Sequence, residues 1–284
     1  MRKPSLFTLL LLPALLLNLG QLQAQSWDRN LRNLDLKQTL RTAKQAFGEV
    51  DEKQEIRIGE EASAVLLGAA PLHPSEPLQG YINQVGRWVA LQSERPDLPW
   101  KFGVIDTSSI NAFAAPGGHV FVTSGLLRQL QSEAELAGVL GHEIAHVLKK
   151  HHLDAVQKSA KLDLAGMLVG SQVDERQQQT LQRLNAGFRE LYARGLDRDD
   201  EFEADRIGVI LATRAGYDPY GLPAVLQTLG ALSASDSDLS LLFKTHPAPA
   251  QRLSALERYY PQLDAHARQP ALAERYHQQT RMLR

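Results

Sequence analysis

Two periodicities divide the chain. Leu31, Leu34, Leu36 and Leu40 stand mostly three or four residues apart in a polar background, which predicts helix from Gln25 to about Glu76, closed by Pro71, Pro74 and Pro77. Ile82, Val85, Trp88 and Val89 make one apolar stripe on a second helix over Leu78–Leu91, stopped at Pro96, Asp97 and Pro99. The period then falls to two. Trp100, Phe102 and Val104 alternate with Lys101 and Gly103, the signature of a strand over Trp100–Asp106. Ala115-Pro116-Gly117-Gly118 is a turn sequence, and Val120-Phe121-Val122-Thr123 reads as a second strand.

Helical spacing returns at Ser132, with Glu135 three residues on in the arrangement of a capping box. The pattern runs to about His152, with Leu136, Leu140, Ile144 and Val147 on one face. Ala134, Gly138, Gly141 and Ala145 line the other. A glycine inside a helix costs roughly 1 kcal/mol relative to alanine. Two of them beside histidines imply that another part of the chain approaches closely. Gln172 to Arg198 is polar, glutamine-rich and predicted helical. Asp199 and Asp200 open a further helix through Phe202, Ile207 and Ile210, ended by Gly216-Tyr217-Asp218-Pro219. Shorter helices follow, and there is no internal repeat.

Composition changes this picture in three ways. With 284 residues, 43% of them hydrophobic, the chain can build one sizeable core, so a single domain over 25–284 is expected. A formal net charge of −1 provides no strong field, so nucleic acid is not expected as a partner. Arg2 and Lys3, the apolar run Leu6–Leu17 and the small residue Ala24 have the layout of a signal peptide over 1–24. That run is shorter than the ~20 residues of a membrane span. Cysteine is absent, so neither disulfides nor a lipidated cysteine are available. Together these predict a soluble protein of a bacterial periplasm.

The candidate chemistry lies in Gly141-His142-Glu143-Ile144-Ala145-His146. Histidines at i and i+4 project from one side of a helix and can meet a single ion. Glu143, directly after the first histidine, takes the position of the general base in this motif. A catalytic site of this type needs a third protein ligand. No histidine follows at metzincin spacing. Lys149 and Lys150 suggest a solvated helix end, and His151 and His152 beside them read as structural or surface residues. The acidic cluster Asp199–Asp205 is the better source. Glu201 and Asp205 stand one turn apart, so one can bind metal while the other holds a ligating histidine. By spacing alone Glu203 competes with Glu201.

H-E-x-x-H together with E-x-x-A-D at Glu201–Asp205 resembles the M48 family of metallopeptidases. Leu78–Asn83, Pro96–Trp100, Asn111–Gly118, Thr123–Leu127 and His246-Pro247 followed by Arg252 are similar to its soluble periplasmic branch, over about Gln54 to Arg258. The resemblance implies a zincin-like α+β fold, mostly helical, with a small sheet beside the active-site helix. It implies one zinc (Zn2+) per chain on His142, His146 and Glu201, with Glu143 as base and Asp205 as a supporting residue or proton donor. His246 and Arg252 match an element that approaches the active site. There His246 would either occupy the open coordination position or stabilise the tetrahedral intermediate, with Arg252 holding the loop or helping. A loop histidine satisfied by hydrogen bonds is the plain alternative.

The implied substrates are unfolded or extended polypeptides, paired with an edge strand in the Asn111–Thr123 region, and the implied role is quality control of envelope proteins. Members of that branch carry C-terminal helical repeats that have no match here, so partners among outer-membrane assembly proteins rest on the family alone. A chaperone-like binder that rarely cuts is the second reading, and Glu143 speaks against it. The sequence sets neither the cleavage preference nor the oligomeric state.

Overall fold

A computed structural model describes residues 50–157, 195–232 and 237–284. The signal-peptide segment, the helix expected over 25–49 and nearly all of the polar stretch 172–198 lie outside the described residues. Helix α1 (Glu52–Ala69) starts at Asp51, whose side chain accepts from the Gln54 amide at 2.8 Å while Gln54 Oε1 accepts from the Asp51 amide at 3.2 Å. It stops ahead of Pro71. The chain from Pro71 to His73 is extended, and Leu72 bridges to Ile105. The expected continuous helix to Glu76 is therefore interrupted, because the prolines remove helical donors and Ser75 caps a new helix, α2 (Glu76–Ala90).

The sheet has the order β1-β3-β2, with β1 (Lys101–Ile105) parallel and β2 (Ala112–Ala115) antiparallel to β3 (His119–Thr123). Strand β2 is not marked by any alternation in the sequence. Three of its four residues are alanine, a weak strand former, and it exists because the turn at 116–118 returns the chain onto it as β3. The other edge is finished by side chains. Gln79 and Asn83, one turn apart on α2, face β1: Gln79 exchanges two hydrogen bonds with Val104 at 2.8 and 2.9 Å, and Asn83 accepts from Phe102 N–H at 3.1 Å.

Both faces of the sheet are covered. Phe102, Val104, Val120 and Val122 join the main core with α2 and with helix α4 (Glu133–Leu148), which follows the short α3 (Ser124–Gln129). Phe121 and Ile105 pack on the other side against Ala62 and Leu66 of α1. The strand residues off the Phe102 face are thus buried rather than solvated, apart from Lys101. Ser132 caps α4 by accepting from the Glu135 amide at 3.2 Å. Glu135 itself reaches past the cap to the Gln131 amide at 2.7 Å, so the expected box closes one residue wide.

The start of α4 is fixed by a buried carboxylate. Glu133 accepts from Tyr81 Oη at 2.9 Å, Tyr217 Oη at 2.8 Å and Arg275 Nε at 2.6 Å. Burial, followed by Glu133, pushes the Tyr81 and Tyr217 phenols well above their usual range. Both favour the protonated form in the folded state, so their stabilisation is complete below the unfolded phenol pKa of about 10 and is lost as pH rises beyond it. Chemical denaturation between pH 9 and 11 is expected to show stability falling with pH, with a shallower fall in Tyr81→Phe; an equal slope would remove Tyr81 from this account.

Helix α5 (Arg198–Arg214) lies against α4 at Gly141, one of the two glycines that anticipated a close approach, while the other, Gly138, meets Leu222 further along the chain. A Cβ on Gly141 would stand 2.6 Å from Gly208 O, and one on Gly208 would stand 2.6 Å from His142 N. Backbone lies on both sides and cannot rotate away. Gly208→Ala gains up to ~1 kcal/mol in helix propensity, but overpacking of this kind costs ~1–3 kcal/mol. Net destabilisation with weakened metal binding is expected, because the helix that moves carries Glu201. Thermal unfolding and metal titration check this. Among the described residues the helices that follow α5 include α6 (Gly221–Ala231), α7 (Ser240–Thr245), α8 (Pro249–Glu257), α9 (Tyr260–Leu263) and α10 (Ala273–Gln279). No helix among the described residues is long and apolar enough to cross a membrane.

Candidate metal centre

The close pairing of α4 with α5 sets the site. His142 and His146 sit one turn apart on α4, and Glu201 faces them from the first turn of α5, all three buried. His142 Nε2 and His146 Nε2 are 3.1 Å apart, with Glu201 Oε2 3.7 Å from the first and Glu201 Oε1 3.6 Å from the second. A four-coordinate ion with bonds of about 2.0–2.1 Å holds neighbouring ligand atoms about 3.3 Å apart, close to this spacing. Glu201 Oε1 is buried without a hydrogen-bond partner. A buried, unpartnered carboxylate oxygen facing two imidazole nitrogens is costly unless a cation lies among them. The donor set therefore fits a divalent metal.

Each ligand is held from behind. Asp205, one turn after Glu201, lies 2.9 Å from His142 Nδ1 through Oδ1. Arg252 on α8 binds the same carboxylate through Nε at 2.9 Å and Nη2 at 2.5 Å, with Nη2 3.3 Å from His142 Nδ1. Burial alone would raise the Asp205 pKa, but Arg252 and His142 outweigh it and hold the carboxylate ionised, well below its usual range. Asp205 thus acts here as an acceptor for His142 and a counter-ion for Arg252. Arg252 is engaged with Asp205.

Burial lowers the pKa of His146, and the neighbouring imidazoles add to this, which favours a neutral ring with a free lone pair. For His142, burial and Arg252 act downward, but Asp205 and Glu201 outweigh them and raise its pKa. Burial raises the Glu143 pKa against the pull of His142 and His246, moving this carboxylate toward the range of an effective base near neutral pH. Glu143 lines the same pocket as His146, Glu201 and His246, with Ala112 and Phe113 of β2 forming another wall.

His246, the residue that ends α7, comes to this pocket from far along the chain. Its Nδ1 is 2.6 Å from Glu201 Oε2, and its ring centroid lies 5.7 Å from that of His142. Glu203, the competitor by spacing, faces away from the centre, toward Lys149 Nζ at 3.0 Å and His151 Nε2 at 3.3 Å.

The solvated helix end does not extend to His151, and of the two readings of that residue the structural one holds. Helix α4 stops at Leu148, Lys150 takes a φ of 57°, and a separate helical segment spans 151–157. This reversal buries His151, with its Nδ1 3.0 Å from His146 Nδ1, and stacks His152 edge-on at 5.2 Å from the His146 ring. Burial pushes the His152 pKa down to about 3. No glycine or proline marks the break, so helical spacing carried past it pointed both rings the wrong way.

The sequence pattern of peptidase family M48 matches residues 76–260. The chain belongs to peptidase family M48. The resemblance read from its motifs holds, as does the mostly helical zincin-like architecture with a small sheet. Among M48 relatives, the beta-barrel assembly-enhancing protease of Escherichia coli (strain K12) is 33% identical over 208 residues, covering 71% of this chain and 42% of its own. The protein of that name from Yersinia pestis is 32% identical over 220 residues, covering 75% and 45%. The mitochondrial metalloendopeptidase OMA1 of Schizosaccharomyces pombe is 28% identical over 219 residues, covering 76% and 64%. The chain spans less than half the length of the first two.

Proposed function

We propose that this M48 chain is a zinc-dependent endopeptidase of the bacterial periplasm that degrades unfolded or misassembled envelope proteins. The carrying observation is the unpartnered Glu201 Oε1 facing His142 Nε2 and His146 Nε2, with Glu143 in the same pocket. Two imidazoles and one carboxylate suit zinc better than the oxygen-seeking magnesium or calcium. Zinc held by these residues would polarise a peptide carbonyl and bring the pKa of a water to about 7. Glu143 would accept a proton from the attacking water as the oxygen bonds to the carbonyl carbon, and would return that proton to the departing amide nitrogen as the C–N bond breaks. Asp205 keeps His142 oriented throughout, with Arg252 balancing its charge. His246, hydrogen-bonded to Glu201, is within reach of two roles: blocking the open position, or donating to the developing oxyanion.

Substrate class follows from β2. Ala112 and Phe113 border the pocket, so an extended peptide added along this outer strand would run past the ligands. Such pairing reads backbone, which favours unfolded segments over folded domains. The signal-like 1–24 segment and the lack of cysteine support the periplasmic assignment, and the names of the bacterial relatives support a connection to outer-membrane assembly proteins as partners. A chaperone-like binder with little proteolysis is the alternative. Unfolded outer-membrane protein and casein, incubated with the zinc-loaded chain with and without a chelator, separate the two. Cleavage of unfolded but not folded substrate, lost on chelation, is expected; binding without any cleavage would favour the binder.

A further inference from the structure

We propose that His151 is a positioning residue, which fixes the tautomer and ring angle of His146 as the middle member of a hydrogen-bonded chain ending on Glu203. The inference rests on the metal-binding reading of His142, His146 and Glu201. His146 Nε2 faces His142 Nε2 at 3.1 Å and Glu201 Oε1 at 3.6 Å, so that nitrogen must present a lone pair to bind metal. The ring proton then belongs on Nδ1. What lies behind Nδ1 is the Nδ1 of His151, at 3.0 Å. Two ring nitrogens at that distance share one proton, so His146 donates and His151 accepts. The proton of His151 is thereby assigned to Nε2, which points at Glu203 Oε2 at 3.3 Å and toward Asp200 Oδ1 at 3.7 Å. Lys149 holds Glu203 in turn at 3.0 Å.

The two histidine ligands are thus supported differently. His142 has a carboxylate directly behind it and His146 has an imidazole, with the Glu203 carboxylate one residue further out. A ligand histidine commonly donates its second N–H to a carboxylate, a carbonyl or water. An imidazole acceptor behind His146 fixes its proton without placing a second carboxylate directly against a histidine ligand.

The backbone is arranged to deliver this ring. A left-handed residue that is not glycine is strained and persists where its surroundings over-determine it. Lys150 is held in that conformation with its Nζ 3.3 Å from Glu55 Oε2. Glu55 is buried on α1, and it also accepts from Arg95 at 2.9 and 3.1 Å and from the Gly117 amide at 3.2 Å. The turn that swings His151 onto His146 is therefore tied both to α1 and to the β2–β3 turn.

The test uses the full chain as wild type, His151→Asn, His151→Phe and Glu203→Leu, with two readouts. Long-range proton–nitrogen spectra of the metal-free proteins report the ring tautomers, and competition with a chelator gives the zinc Kd. Wild type is expected to carry the His146 proton on Nδ1. His151→Phe removes the acceptor and should weaken zinc about 10–100-fold. His151→Asn offers an amide oxygen near the position of Nδ1 and should restore most of that loss. Equal Kd values in wild type and His151→Phe overturn the proposal, as does an Nε2-protonated His146 in wild type, or Asn and Phe variants that lose zinc equally. If His151→Phe does not fold, Glu203→Leu decides, since Glu203 is 34% exposed and its replacement is tolerable. Weaker zinc with a changed His151 tautomer supports the chain of bonds, and an unchanged protein overturns it. A wild type that binds no zinc would instead sink the underlying metal reading.

Discussion

Glu143→Gln is expected to lose proteolysis by at least ~10³-fold while keeping the fold and the metal, within the range that positioned proton transfer contributes. The amide has nearly the shape of the carboxylate, so the packing around this buried position is preserved. What disappears is the ability to accept a proton from water and return it to the leaving amine. Burial has raised the Glu143 pKa, which makes its carboxylate a better base and its acid form a usable donor in the second half of the reaction. Neither function survives in glutamine. Turnover of unfolded casein by wild type and variant, normalised to zinc content, measures the difference. Activity within about tenfold of wild type, a barrier change of only ~1.4 kcal/mol, would mean that another group serves as base.

Alanine at His142, His146 or Glu201 is expected to empty the site. Each change leaves two protein donors where three now converge, and the loss in affinity should exceed the roughly 10–100-fold caused by removing an outer partner. Stability supplies a second readout that does not depend on activity. A ligand bound only by the native state stabilises it by about 4.1 kcal/mol at a thousand times its Kd. Added zinc should therefore raise the Tm of the metal-free wild type and leave the Tm of the three variants unchanged. Glu201→Ala is the most informative of them, because a fully occupied site in that protein would return Glu203, or another carboxylate, to consideration as third ligand.

Much of the site was legible because its logic is local. The i, i+4 spacing of His142 and His146, the glutamate between them and the turn-spaced pair Glu201 and Asp205 are properties of single helices. Helix periodicity dictates which side chains share a face whatever packs against them. Gly141 also announced itself, since a glycine in a buried helix implies a close neighbour. The neighbour, Gly208, could not be named from the sequence.

Other parts were not legible, for one shared reason. The pairing of Arg252 with Asp205 and the amides of Gln79 and Asn83 that finish the β1 edge join residues distant in sequence. No local pattern encodes which distant partner arrives. His151 shows this most sharply. It stands five residues from His146, where helical geometry turns the two rings apart, and it reaches His146 only because the helix breaks at Lys150 in a conformation held by Glu55 from another helix. The sequence by itself determined which groups could bind a metal and move a proton, because residue type and helical spacing suffice for that. Which groups stand behind the ligands and fix their protons was decided by the tertiary structure, because hydrogen bonds between elements depend on how whole helices pack.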